Sequence, residues 1–324
     1  MRLRESLLLA GLVISVVIQP VMAEPWLVKY GNDKGQVAVY NANTSKAFAE
    51  DQPYGPMSIR VYKDKLWVLD SIGGKLNCYL PGNKLASSLT IEDLPKNLLL
   101  EDFALVPGSS GEPETVWVAE AAECMVRKLS LSSGKVLVKI GGNGSEPGKF
   151  KQINQLEVDR IGRLYVGDIG KSVIAVFTAY GELIREIPWQ RCGFALDSNS
   201  RLHTLRYSDS AGYFLTVYSV GGQLESSLHL GLAELTNPRV WAVSARGNLV
   251  VSFHPAGGFK GNLKLFEITP FGKIVKRMEF RPPSSMNRYL SGSDKTVWIA
   301  NADFFSAPEG VFSVHSVKWG EKDD

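Results

Sequence analysis

Cysteine and histidine are scarce in this chain of 324 residues, three of the one and four of the other, and their scarcity removes several chemistries at once. Cys78, Cys124 and Cys192 are too few for a disulfide framework, and an odd number is awkward in an oxidising compartment. Cys78 and Cys124 fall in equivalent strands of neighbouring repeats but out of register, so all three read as buried free thiols. There is no CxxC pair and no Cys/His cluster at zinc spacing. Gly-x-Ser-x-Gly and HExxH are missing as well, which removes support for a serine hydrolase or a zincin. The glycine-rich stretch Gly141 to Gly148 does not lead into a helix, so a phosphate-binding loop is not expected. Charge of one sign is also lacking: 36 Lys and Arg against 33 Asp and Glu leave a net +3, scattered along the chain. Nucleic acid is therefore not an expected partner. Sustained helical periodicity is absent after residue 23, and no later apolar run is long enough to span a membrane.

What is present begins with a leader. Arg2 and Arg4 precede an apolar stretch from Leu7 to Ile18, and Pro20 and Val21-Met22-Ala23 follow. These are the three parts of a signal peptide, with an apolar run well short of the roughly 20 residues a transmembrane helix requires. Cleavage near Ala23 is expected, giving a periplasmic or secreted chain with no membrane span, from Glu24 to Asp324. No Pro- or Ser-rich linker divides that chain, so residues 24–324 are expected to form one domain.

A repeat organises the domain. A short β-rich run recurs at Leu66 to Asp70, Val116 to Glu120, Leu164 to Asp168, Leu202 to Arg206, Leu249 to Phe253 and Val297 to Asn301. Six copies at spacings of about 38 to 50 residues match propeller blades. Around each copy the same order recurs: a first strand such as Gln155 to Asp159, a glycine turn, the run itself, a loop, and two more strands such as Val173 to Phe177 and Leu183 to Ile187. The fold class is all-β, a six-bladed β-propeller of four-stranded antiparallel blades. The sixth unit lacks its outermost strand, and the N-terminal strand Gln36 to Tyr40 is expected to supply it and close the ring.

The third unit, Gly141 to Ile187, resembles an NHL repeat. Gly141 to Phe150 looks like the family's glycine-rich lead-in, and Leu156 to Asp159, Gly162 to Asp168 and Ile174 to Phe177 look like its strands in order. Lys171 and Val173 depart from the pattern, which commonly has Asn and Arg there. The resemblance implies a six-bladed propeller of a superfamily that includes scaffolds, binding proteins, gluconolactonase-like lactonases and lyases, so it does not choose a function.

Two function classes remain. A metal-dependent lactonase or lyase, as the resemblance implies, would hold a divalent cation (Ca, Mg or Zn) in the central channel. The innermost strands offer few ligands for one, with Glu157, Asp102 and the loop residue His254 as its catalytic candidates. No cofactor is expected otherwise. Asp159 and Asp197 sit at strand-ending turns, where Asp binds backbone amides. The other class is a binding scaffold. The loops after the second strands are short in units one to three, and in units four to six they lengthen and gain Arg206, Tyr207, His254, Phe259, Asp303, Phe304 and Phe305. Aromatic and charged loops on a rigid frame suit a protein, peptide or glycan, and this is the favoured reading.

Overall fold

The computed structural model describes residues 24–46, 52–92, 94, 99–255, 261–283, 285–292 and 296–318. The leader segment and Phe259 lie outside them. The described chain forms six four-stranded antiparallel sheets, and a 3-10 turn at Pro81–Asn83 is the one helical element among the described residues. Strands run from the channel outward in chain order, as in the first blade: Ser58–Tyr62, Lys65–Asp70, Lys75–Leu80 and Lys84–Thr90. The next four blades occupy residues 100–141, 153–188, 194–231 and 235–280 in the same way.

Each repeated run lies in a second strand, and its composition follows from its position. Leu164–Asp168 is buried along its whole length because neighbouring blades cover both of its faces, so alternation disappears and a continuous apolar run remains. The outer strand Leu183–Pro188 is covered less completely and keeps a mixed pattern. The turn from first to second strand is set by an aspartate. Asp159 Oδ1 accepts from Ile161 N at 3.1 Å and Arg163 N at 2.9 Å, and Gly162 supplies the φ of +83° that closes the turn. Asp197 repeats this with Asn199 N and Arg201 N, so both acids serve their own turns.

The ring closes through the N-terminus, but by a different segment from the one expected. The sixth blade consists of Leu290–Ser291, Thr296–Asn301, Val311–Lys318 and, outermost, Trp26–Lys29. Trp26 and Val28 face inward while Leu27 and Lys29 face out, the alternation of an edge strand. The Trp26 ring packs on Trp298 at 4.5 Å, and its Nε1 donates to Leu80 O at 3.0 Å, which ties the first blade to the sixth. Gln36 to Tyr40 reads as a strand because Val37, Ala38 and Val39 are buried. They are buried at the junction of the first and last blades, where Ala38 N donates to Asp70 Oδ1 at 3.1 Å, and not in the ladder.

All three cysteines are free and buried. His203 is enclosed and its Nε2 lies 3.0 Å from Asp197 Oδ2. His229 Nε2 bonds to Ala211 O, and His315 Nε2 to Ser313 Oγ.

Candidate functional site

First strands of neighbouring blades approach closely enough to bond directly. Ile59 N donates to Arg288 O at 2.9 Å and Val240 N to Cys192 O at 2.8 Å. Side chains entering so narrow a channel must satisfy one another, and residues just before the inner strand of the sixth blade span it. Asn287 Nδ2 donates to Glu101 O of the second blade and to Asn154 O of the third. Arg288 reaches Glu157 Oε1 through Nη2 at 2.5 Å and Asp102 Oδ1 through Nε at 3.4 Å. From the first blade Arg60 approaches the same acids, Glu157 at 3.4 Å and Asp102 at 3.5 Å. Ser58 Oγ and Leu156 N add hydrogen bonds to Asp102 at 2.6 and 2.9 Å.

The channel acids Glu157 and Asp102 thus come together, as the metal-enzyme reading requires, but each lies between two guanidinium groups. Burial alone would raise the Asp102 pKa; Arg288, Arg60 and the hydrogen bonds outweigh it and hold the carboxyl below its ordinary value. A divalent cation would face Arg60 and Arg288 at close range. No group of three or more His, Cys, Asp or Glu among the described residues is placed to hold a metal. His254 lies on the second strand of the fifth blade, at the cavity described below. These residues do not fit a divalent cation.

The rim residues divide. Asp70, Glu120 and Asp168 cap their own loops: Asp70 Oδ1 accepts from Gly73 N, Glu120 from Ala122 N and Glu123 N, and Asp168 from Lys171 N. Phe304 is fully enclosed, edge-on to Tyr30 with centroids 6.3 Å apart, and belongs to the core. Its neighbour Phe305 is exposed, and Asp303 Oδ1 holds the Phe305 amide at 3.1 Å. Arg206 lies over Phe214 at 5.2 Å, beside a groove next to Trp189.

Tyr207 and His254 both line a cavity of about 720 Å³ on the loop face between the fourth and fifth blades. Tyr207 tilts against Tyr213 at 4.9 Å, and Tyr213 rests edge-on against buried Phe253 at 5.3 Å, which makes a rigid aromatic wall. His254 stands on the second strand of the fifth blade, two residues from Ser252 and on the same side of the strand. Burial lowers its pKa below the ordinary histidine value, which favours the neutral imidazole.

Arg239 lines the same cavity. Its strand pairs Thr236 with His254 and Arg239 with Ser252, one extra residue on the inner side, at Asn237-Pro238. Pro238 has no N–H for the ladder, and Asn237 takes a φ of +46°, so the bulge sits where the chain can form one. The guanidinium after it lies over the Trp241 ring at 4.6 Å and donates to Asn287 Oδ1 at 2.9 Å. Trp241 is fixed in turn by Ser252 Oγ at 2.9 Å and by the Tyr289 ring at 4.7 Å.

Asn287, Arg288 and Arg239 were not singled out in the sequence. The first two precede the short sixth inner strand and belong to no repeated run. For Arg239 the available signal was Asn237-Pro238, a proline interrupting a strand pattern.

No protein-family model matches the chain, and no curated protein matches it. Solved structures with the same fold include a luciferin-regenerating enzyme (12% identity, TM-score 0.53, covering 82% of this chain and 92% of that one). Another is a PQQ-bound aldose sugar dehydrogenase from Streptomyces coelicolor (11%, 0.51, 82% and 94%). A third is a catalytically inactive virginiamycin B lyase from Staphylococcus aureus with quinupristin (17%, 0.50, 78% and 79%). At these identities the likeness is one of fold, the six-bladed propeller.

Proposed function

We propose that this chain is an exported, NHL-like propeller that acts as a binding protein, taking a ring or chain end of a peptide, glycan or protein partner into the cavity between its fourth and fifth blades. One observation carries the reading: Tyr207, Tyr213, Arg239 and His254, from two blades, converge on a single cavity of about 720 Å³, within the range that encloses a ligand of drug size. A binding role is favoured over metal-assisted catalysis because Glu157 and Asp102 are already held by Arg60 and Arg288. Export rests on the leader sequence, Arg2 to Ala23, and the NHL likeness on the third blade.

The test is a screen of peptide and glycan arrays with residues 24–324, repeated with Tyr207→Ala and His254→Ala. Retained ligands should bind each variant at least about tenfold more weakly. Ligands that bind both variants as tightly as the parent would place recognition elsewhere.

A further inference from the structure

The charge of this cavity is one-sided. Among the described residues two arginines line it, Arg191 and Arg239, and no acid does. Arg191 donates through Nε and Nη2 to Ser172 Oγ, at 3.0 and 2.8 Å. Arg239 is bound more closely by the fold, but its hydrogen bond goes to the neutral Asn287 amide, and among the described residues it forms no ion pair. Arg288, the neighbouring guanidinium, is matched by Asp102 and Glu157. Of Arg60, Arg288 and Arg239, the first two form ion pairs with Asp102 and Glu157, and Arg239 forms none among the described residues.

The surroundings accentuate this. Burial first, and then Arg288, lower the Arg239 pKa to about 10, so the group is still charged at pH 7. Glu101 contributes part of the opposing field, but burial and then Asp102 push its pKa up to about 7, so it is only partly ionised there. A desolvated guanidinium is costly to leave unmatched. The guanidinium is held over the Trp241 ring, and Asn287 takes one corner. A planar fork held in that way suits a planar two-oxygen anion.

We infer that the cavity selects ligands bearing a carboxylate, which Arg239 receives while an aromatic or sugar ring lies along Tyr207 and Tyr213. This rests on the binding reading above and deepens it by naming the ligand class. A peptide C-terminus or a uronic acid has this chemistry.

The experiment pairs each acid with its amide: 4-hydroxyphenylacetate with 4-hydroxyphenylacetamide, and indole-3-acetate with indole-3-acetamide. Each is titrated by saturation-transfer NMR against residues 24–324 and against the Arg239→Gln, Arg239→Lys and Tyr207→Ala variants. The acids should bind at least about tenfold more tightly than the amides. Arg239→Gln should abolish that preference, and Tyr207→Ala should weaken acid and amide alike. Should Arg239→Gln fail to fold by circular dichroism, Arg239→Lys carries the test, since it keeps the charge without the fork. A preference at least about threefold smaller in that variant supports the inference, and an unchanged preference overturns it. Equal binding of acid and amide, still sensitive to Tyr207→Ala, would overturn the carboxylate assignment and leave the cavity standing. No binding of either at about 10 mM to folded protein would remove both.

Discussion

Arg288 of the sixth blade donates to Glu157 of the third, on the other side of the channel, at 2.5 Å. That one contact joins blades remote in sequence, and with Arg60 and Asp102 it sets matched charges against each other in the channel. Two consequences follow for stability and for metal.

Removing one member of a buried ion pair leaves its partner charged and desolvated. Arg288→Leu is expected to cost about 3–5 kcal/mol of unfolding free energy, measured by urea denaturation with circular dichroism. A loss below about 1 kcal/mol would mean that the network is solvated.

Because Arg60 and Arg288 occupy the space beside both acids, chelators should change nothing. The Tm of residues 24–324 is expected to be the same with and without EDTA, and elemental analysis should find less than stoichiometric divalent metal. Stoichiometric metal with a Tm that falls on chelation would restore the metal-enzyme reading.

Closure by Trp26–Lys29 makes a second stability prediction. Trp26→Ala removes a ring packed on Trp298 and the hydrogen bond to Leu80 O, and a loss of about 3–5 kcal/mol is expected. The same substitution at exposed Leu27 should change stability by less than about 0.5 kcal/mol.

Asp70 supplies a pH dependence of opposite sign to most carboxylates. Burial raises its pKa from 3.8 to about 6 against the opposing hydrogen bonds of Gly73 and Ala38. The folded state therefore holds this proton more tightly than the unfolded chain. The stabilising contribution is complete below pH 3.8 and is lost as pH rises through about 6. Asp70→Asn keeps an acceptor for both amides without the charge. Its stability relative to the parent should rise between pH 4 and 7, as followed by thermal melts, and a pH-independent difference would contradict the assignment.

Burial also raises the thiol pKa values, Cys78 to about 11 and Cys192 to about 12, so neither is thiolate at neutral pH. Native protein should react with Ellman's reagent negligibly over an hour and denatured protein at three thiols per chain. Fewer than three after denaturation without reductant would reveal a disulfide.

The blades were legible in the sequence because each second strand is packed on both faces and must repeat its apolar run; Leu66 to Asp70 and Leu164 to Asp168 are read equally well from either source. The turn aspartates Asp159 and Asp197 were legible for a local reason, since each binds the amides of its own turn. Closure was read with the wrong segment, since Val37 to Val39 are as apolar as a strand and only the packing of Trp26 on Trp298 decides between the two. Phe304 read as a rim residue because a loop sequence does not show what lies over it; Tyr30, far away in the chain, does. Tyr207 and His254 were both found as candidates, whereas Arg239 and Arg288 owe their roles to neighbours on other blades, and no local pattern marks such convergence.

The central claim is that recognition takes place on the loop face between the fourth and fifth blades, away from the channel acids. Hydrogen–deuterium exchange of residues 24–324 with and without saturating 4-hydroxyphenylacetate tests it most directly. Protection confined to residues 190–193, 207–213, 237–239 and 252–254 is the result the account predicts. Protection centred on Arg60 and Glu157 instead would contradict it.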